Sequence, residues 1–216
     1  MIGPVDQLIV VGRKAVARGL VIGSGGNLSA RLPGADACWV TATGTWLDEL
    51  TAASFSYVRI SDGAVLEGNP APSTEVALHL HSYLARPDVN AIVHLHPQTS
   101  VLLDAMGHPV SLVTMDQAYY LREVRSVPFI HHGTVALAEA AADAIRDGCN
   151  CVILGYHGCS VVADTVELAH KRAANLEEAA LATHRALALG GPVPACPPQY
   201  LDTVRRAEAA AAATRR

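Results

Sequence analysis

Residues 89–97 read Val-Asn-Ala-Ile-Val-His-Leu-His-Pro, a largely apolar run that opens after Pro87 and closes at Pro97. Proline cannot donate to a sheet ladder, so two prolines bracketing a short β-branched run mark a buried strand over Val89–His96. Side chains two apart in a strand share a face, which sets His94 and His96 side by side. In an apolar strand each ring needs either its own hydrogen-bond partner or a share in a cation. Neutral imidazoles chelating one divalent ion satisfy both rings at once, and that is the reading favoured here.

Working upstream, Gly68-Asn69-Pro70-Ala71-Pro72 is a rigid loop, and Ser73-Thr74-Glu75 opens an amphipathic helix reaching Leu84. Ser73 or Thr74 is the expected N-cap, with Glu75 in the first helical turn, where the helix dipole favours a carboxylate. His79 and His81 repeat the two-residue spacing, but on a helix they diverge by about 200°, so one buried and one exposed ring is expected rather than a chelate. Glu75 and His79, one turn apart, share a face and can interact. Further upstream, a helix over Val5–Gly19 is followed by the glycine-rich Gly23-Ser24-Gly25-Gly26-Asn27 and strands at Leu28–Leu32 and Cys38–Thr41. The second strand runs into Thr43-Gly44-Thr45, and Asp62-Gly63 signals a hairpin between strands at Phe55–Ile60 and Ala64–Leu66. The glycine-rich turn is either a tight bend or an anion nest of exposed backbone amides.

Downstream, the patterns give helices at Gln98–Met106, Thr134–Arg146 and Val166–Ala188, strands at Val127–Ile130, Cys151–Leu154 and Cys159–Ala163, and frayed helix over Glu208–Ala213. No repeat or linker divides residues 1–216, so one α/β domain is expected, without a strict βαβ rhythm. A catalytic metal site needs a third ligand. His157, in the turn Gly155-Tyr156-His157-Gly158 between two apolar strands, competes with His131 and His132, which precede an ordinary helix cap; His157 is preferred. A metallo-β-lactamase would continue His-x-His with Asp and His, and a cupin would be nearly all strand with its glutamate after the histidines. Both are disfavoured.

A formal charge of −4, with Lys and Arg scattered apart from Arg205-Arg206 and Arg215-Arg216, offers no basic stripe for nucleic acid. The start lacks a basic segment ahead of a cleavable apolar one, and no stretch approaches roughly 18 consecutive apolar residues, so no membrane span and a cytoplasmic location are expected. The five cysteines form no Cys-x-x-Cys pair and are read as reduced thiols.

Taken in order, Ser24-Gly25-Gly26-Asn27-Leu28-Ser29, Thr43-Gly44, Pro72-Ser73-Thr74-Glu75, Arg86-Pro87-Asp88, His94-Leu95-His96 and His157-Gly158 resemble the class II aldolase/adducin family, and within it the fuculose-phosphate aldolases most. The resemblance spans roughly residues 5–190. It implies a three-layer α/β/α sandwich around a mainly antiparallel sheet, and a cyclic homotetramer with sites near subunit interfaces. It also implies zinc, with manganese or cobalt as alternatives, on His94, His96 and His157, and Glu75 as acid/base. Asn27, Thr43, Gly44, Ser73 and Thr74 would bind the phosphate of a small sugar. A cation chelated by ketose oxygens stabilises the enediolate left by carbon–carbon cleavage, which would release dihydroxyacetone phosphate and an aldehyde.

The chain departs from that pattern where the aldolase uses a tyrosine on the aldehyde oxygen. The corresponding stretch here, Val113-Thr114-Met115-Asp116-Gln117, offers Thr114, and Tyr119 or Tyr120 would have to substitute. Pentulose-phosphate 4-epimerases of the family carry aspartate in place of Glu75, which favours cleavage. A sugar-acid phosphate decarboxylase remains an alternative, and an adducin-like interaction domain without catalysis is the rival from another class.

Overall fold

The computed structural model describes residues 3–22 and 24–214. Gly23, the first glycine of the candidate nest, and the pair Arg215-Arg216 lie outside the described residues. The chain runs α1 (Pro4–Ala17), β1 (Asn27–Ala30), β2 (Ala37–Thr41), a 3₁₀ turn (Ala52–Ser54), β3 (Phe55–Arg59), β4 (Val65–Gly68), α2 (Val76–Ala85) and β5 (Ala91–Leu95). It continues through α3 (Gln98–Ala105), α4 (Met115–Leu121), β6 (Arg125–Val127), α5 (Val135–Ile145), β7 (Cys151–Leu154), β8 (Gly158–Ala163), α6 (Val166–Ala188) and α7 (Pro198–Thr214). The strands make one sheet in the order β4-β3-β2-β1-β5-β8-β7-β6. Every neighbouring pair is antiparallel except β6 and β7.

Alternation along the strands sorts side chains into two buried layers. Leu28 and Ala30 of β1, Ala91, Val93 and Leu95 of β5, and Cys159, Val161 and Ala163 of β8 share a core with Leu8, Val11 and Ala15 of α1 and with Ala169, Ala173 and Leu176 of α6. Ile92, Val152, Leu154 and Val162 point the other way, into Leu78, Leu80 and Tyr83 of α2 and Leu137, Ala141 and Ile145 of α5. With helices on both faces, β5 is buried at all its positions, which is why its sequence is a continuous apolar run. The result is a helical layer on each side of a mainly antiparallel sheet, the sandwich that the family resemblance implies. Among the described residues no helix is long and apolar enough to cross a membrane.

Both ends of β5 are latched. Before it, the Arg86 guanidinium pairs with both oxygens of Asp88 at 2.8 and 2.7 Å and donates to the carbonyls of Ile145 and Cys149 at 3.0 Å each. The Arg86-Pro87-Asp88 turn is thereby tied to the end of α5. After it, the Glu177 carboxylate of α6 accepts the free N–H groups of Thr99 and Ser100 at the start of α3, at 2.9 and 3.0 Å, where a negative charge complements the helix dipole. The strand that carries His94 and leads into His96 is therefore fixed at entry and exit.

Four local expectations need correction. Glu75 itself takes the N-cap position of α2, and its backbone N–H is received by Ser73 Oγ at 3.2 Å; its carboxylate makes no cap bond and is left available for other partners. The short α4 was not anticipated. It starts on a capping box in which Thr114 Oγ accepts Gln117 N–H and Gln117 Oε1 accepts Thr114 N–H, so Thr114 serves the backbone. β6 lies at Arg125–Val127 rather than Val127–Ile130: Pro128 ends it, and its pairing is a parallel one with Arg125 opposite Val152. The C-terminal helix begins at Pro198, ten residues before the alanine-rich tract, because proline is tolerated in a first helical turn.

Candidate metal centre and active site

His94 projects from β5 on the α2 side of the sheet and is fully buried, directly across from Asn27 of β1. His96 lies just past the strand, where its N–H donates to the Leu20 carbonyl at 3.2 Å. His157 arrives from the β7–β8 turn. That turn closes with His157 N–H donating to Leu154 C=O at 2.9 Å and holds Tyr156 at φ 60°, a left-handed conformation that costs an L residue about 1–2 kcal/mol. The three rings are mutually adjacent, with centroids 4.8 to 5.0 Å apart. Glu75, at the head of α2, closes the group: Oε2 is 3.1 Å from His94 Nε2 and Oε1 is 3.4 Å from His157 Nε2. One donor atom from each of Glu75, His94, His96 and His157 falls within 4.8 Å of the others, so the four could hold a metal ion.

The donor set suits a divalent cation. His94 donates Nδ1–H to the Cys159 carbonyl at 3.0 Å, which turns the Nε2 lone pair inward, the usual arrangement behind a metal-binding imidazole. His94 Nε2 and His96 Nε2 are 3.1 Å apart, a contact that two lone pairs tolerate only around a shared proton or cation. Glu75 Oε1 is buried without a hydrogen bond. Burial, reinforced by repulsion from His94, holds His96 at a pKa of about 3 and His157 at about 4, so both stay in the neutral form that binds metals. For Glu75, burial pushes the pKa up, but without a cation in the cluster a proton on His94 Nε2 shared with the carboxylate, the charge His94 and His157 carry when protonated, and the Asn27 amide outweigh it and hold the carboxyl below the usual carboxylate range.

Two glycines let the backbone approach this closely. Gly26, at φ 73°, lies against β5 where a Cβ would come within 2.6 Å of the His94 carbonyl. A Cβ on Gly158 would sit 2.4 Å from the Leu95 carbonyl oxygen and 2.6 Å from His96 Cδ2. Gly158→Ala is therefore expected to cost about 1–3 kcal/mol of stability and to displace His96 enough to lower metal content. Urea denaturation and metal analysis check this, and a variant with parental stability and full metal loading would contradict it.

Beside the four donors opens a cleft of about 310 Å³, lined on one side by Ser24, Gly25, Gly26 and Asn27 and on the other by Ala42–Thr45 and Ser73–Glu75. A bridge between Ala42 and Pro72 joins the latter two loops, with Thr43 N–H donating to Ala71 C=O and Ser73 N–H to Thr41 C=O, each at 3.0 Å. Asn27, Thr43, Gly44, Ser73 and Thr74 thus line one cleft, though they lie up to about fifty residues apart in sequence. Among the described residues lining the cleft there is no lysine or arginine, so an anion there would be met by hydroxyls and backbone amides.

A family model described as the class II aldolase and adducin N-terminal domain matches residues 6–184. The chain belongs to the class II aldolase and adducin family. An L-fuculose phosphate aldolase of Methanocaldococcus jannaschii is 32% identical over 177 residues, covering 82% of this chain and 93% of the relative. A 3-oxo-tetronate 4-phosphate decarboxylase of Haemophilus influenzae is 30% identical over 180 residues, covering 81% and 84%. The solved structure of an L-fuculose 1-phosphate aldolase matches with a TM-score of 0.84 at 28% identity over 92% of both chains.

As a class II aldolase family enzyme, the chain keeps its His-Glu cluster and hydroxyl-lined cleft together, but Tyr119 and Tyr120 are not part of that cleft. Both lie on α4, edge to face at 5.2 Å, with Tyr119 half exposed. His131 stands outside beside Phe129, whereas His132, weighed in the sequence only as a rival ligand, lines the cleft with its ring 5.9 Å from that of His157. His79 is fully buried and His81 half buried. His79 reaches Glu75 only through Asn27, whose Nδ2 donates to Glu75 Oε2 at 2.9 Å while Oδ1 meets His79 Nε2. The sequence places Glu75 and His79 on one face but does not show Asn27 between them, because that middle member comes from β1.

Proposed function

We propose that this protein is a metal-dependent lyase that cleaves a carbon–carbon bond in a small ketose phosphate, releasing dihydroxyacetone phosphate and an aldehyde. The observation that carries the proposal is the Glu75 carboxylate held 3.1 and 3.4 Å from two of three clustered imidazoles, at the edge of a cleft walled by hydroxyls and amides. His94, His96 and His157 would hold a divalent cation, zinc in the first instance and manganese or cobalt otherwise, whose Lewis acidity draws the electrons of the broken bond toward the substrate oxygens. Asn27, Thr43, Gly44, Ser73 and Thr74 anchor the phosphate and so fix which carbon faces Glu75. In cleavage the hydroxyl on the aldehyde-forming carbon loses its proton, the bond's electron pair stays on the carbonyl-bearing fragment, and Glu75 delivers a proton to that carbon.

The same proposal takes the protein as a cytoplasmic homotetramer. In such an assembly the exposed Tyr119, or its neighbour Tyr120, would handle the aldehyde oxygen from an adjacent copy. The decarboxylase relative keeps a second outcome open, with carbon dioxide as the leaving group from a sugar-acid phosphate. Incubating the metal-loaded protein with a panel of ketose 1-phosphates is expected to yield dihydroxyacetone phosphate, measured by coupled reduction. Carbon dioxide release from sugar-acid phosphates, with no triose phosphate from any ketose, would transfer the assignment to the decarboxylase.

A further inference from the structure

From Glu75 at the cleft, a chain of buried polar groups runs inward between β1 and α2. Asn27 Nδ2 donates to Glu75 Oε2 at 2.9 Å, Asn27 Oδ1 meets His79 Nε2, His79 Nδ1 is 2.6 Å from Ser29 Oγ, and Ser29 Oγ is 2.8 Å from the Tyr83 hydroxyl. His79 and Ser29 have no exposed surface, Tyr83 has 1% and Asn27 has 5%. At the far end the Arg31 guanidinium lies over the Tyr83 ring, 4.7 Å from its centroid, and donates to the carbonyls of Val89 and Pro87 at 2.9 Å each.

Only one set of donors and acceptors satisfies every link. An ionised Glu75 can only accept, so the Asn27 amide must turn its NH₂ toward it and its oxygen toward His79. His79 must then carry its proton on Nε2 and accept at Nδ1 from the Ser29 hydroxyl, which in turn accepts from Tyr83. An imidazole this deeply buried stays neutral, as the direction requires. Turned by 180°, the Asn27 amide would set oxygen against the carboxylate and NH₂ against the His79 N–H, so Glu75 and His79 hold it from its two ends.

We propose that His79, Ser29 and Tyr83 are positioning residues: a one-way hydrogen-bond chain that locks the Asn27 amide and, through it, the orientation of the Glu75 carboxylate. This rests on Glu75 being the proton carrier. The chain positions and does not relay protons, since the Asn27 amide between Glu75 and His79 interrupts transfer.

The first test needs no activity. In metal-free protein labelled with ¹⁵N-histidine, the His79 ring, identified by the shift that Tyr83→Phe imposes on it, is expected as the neutral Nε2–H tautomer; an Nδ1–H ring or an imidazolium overturns the chain. The second compares two amides. His79→Gln reaches Asn27 and is expected to keep kcat within about threefold, whereas His79→Asn stops short and is expected to lose about tenfold to a hundredfold at unchanged metal content. Equal losses in the two variants, or none in His79→Asn, overturn the proposal. In a Glu75→Gln background, His79→Asn should add nothing; should Glu75→Gln alone turn over at the parental rate, it is the assigned role of Glu75 that fails, while the tautomer still reports on the chain by itself.

Discussion

Glu75→Gln is expected to reduce kcat by about a thousandfold, equivalent to ~4 kcal/mol in the barrier, while the protein keeps its fold and its metal. Glutamine preserves the shape of the side chain and an oxygen to receive the Asn27 amide, so the connection between β1 and α2 survives. It cannot carry a proton between substrate atoms. Three imidazoles remain to hold the cation, and their close approach comes from β5 and the β7–β8 turn rather than from α2. Steady-state kinetics on protein of verified metal content and unchanged melting temperature make the measurement. Turnover above about a tenth of the parental rate would remove Glu75 from the proton-transfer step, since general acid–base groups contribute at least a hundredfold in most enzymes.

The parts of this site that could be read from the chain are those set by local periodicity. His94 and His96 were placed on one face because a strand repeats every two residues, and the bracketing prolines made the strand assignment firm. His157 could be singled out because its glycine-flanked turn lies between two apolar strands and can aim a side chain beside their ends; the structure adds that a Cβ on Gly158 would come within 2.4 Å of the Leu95 carbonyl oxygen. The assembly of Thr43, Gly44, Ser73 and Thr74 with Asn27 came from family resemblance. It depends on the Ala42–Pro72 bridge, which no local pattern announces.

What escaped the sequence is what depends on one element meeting another. The Ser29–His79–Tyr83 chain joins a strand to a helix roughly fifty residues later, and helical spacing alone pairs His79 with Glu75 but not with Ser29. α4 carried its capping-box signature, Thr114 followed three residues later by Gln117, but seven residues are too few to show a helical period. β6 was displaced because the apolar Pro128-Phe129-Ile130 looked more strand-like than Arg125-Ser126, yet it is the polar pair that takes the ladder. There the Arg125 guanidinium is held by Glu123 at 2.7 Å and by Asp147 at 2.6 Å, so its charge is met at the sheet edge. Phe129, by contrast, is left exposed with its ring 6.4 Å from that of Tyr156.

Removal of the metal or its ligands is expected to have the other large effect, on stability as well as on activity. An ion that binds the native state alone stabilises it by ~4 kcal/mol when present at a thousand times its dissociation constant. For a chain of this length that corresponds to a melting temperature about 8–16 °C higher for the loaded protein than for the same protein in chelator. In His94→Ala/His96→Ala the difference should vanish, together with stoichiometric metal and turnover. The variant should also start from a lower baseline, because His94 is fully buried and its loss strands the Cys159 carbonyl that receives its Nδ1–H. His157→Ala separates the two contributions: its ring comes from a partly open turn, so the metal-free melting temperature should change little while the gain on metal addition is lost. A chain that served only as an interaction scaffold would have no use for three imidazoles converging on one carboxylate, with two of their ring nitrogens 3.1 Å apart. Equal melting temperatures with and without zinc, manganese and cobalt in the parental protein would favour that scaffold and end the case for a lyase.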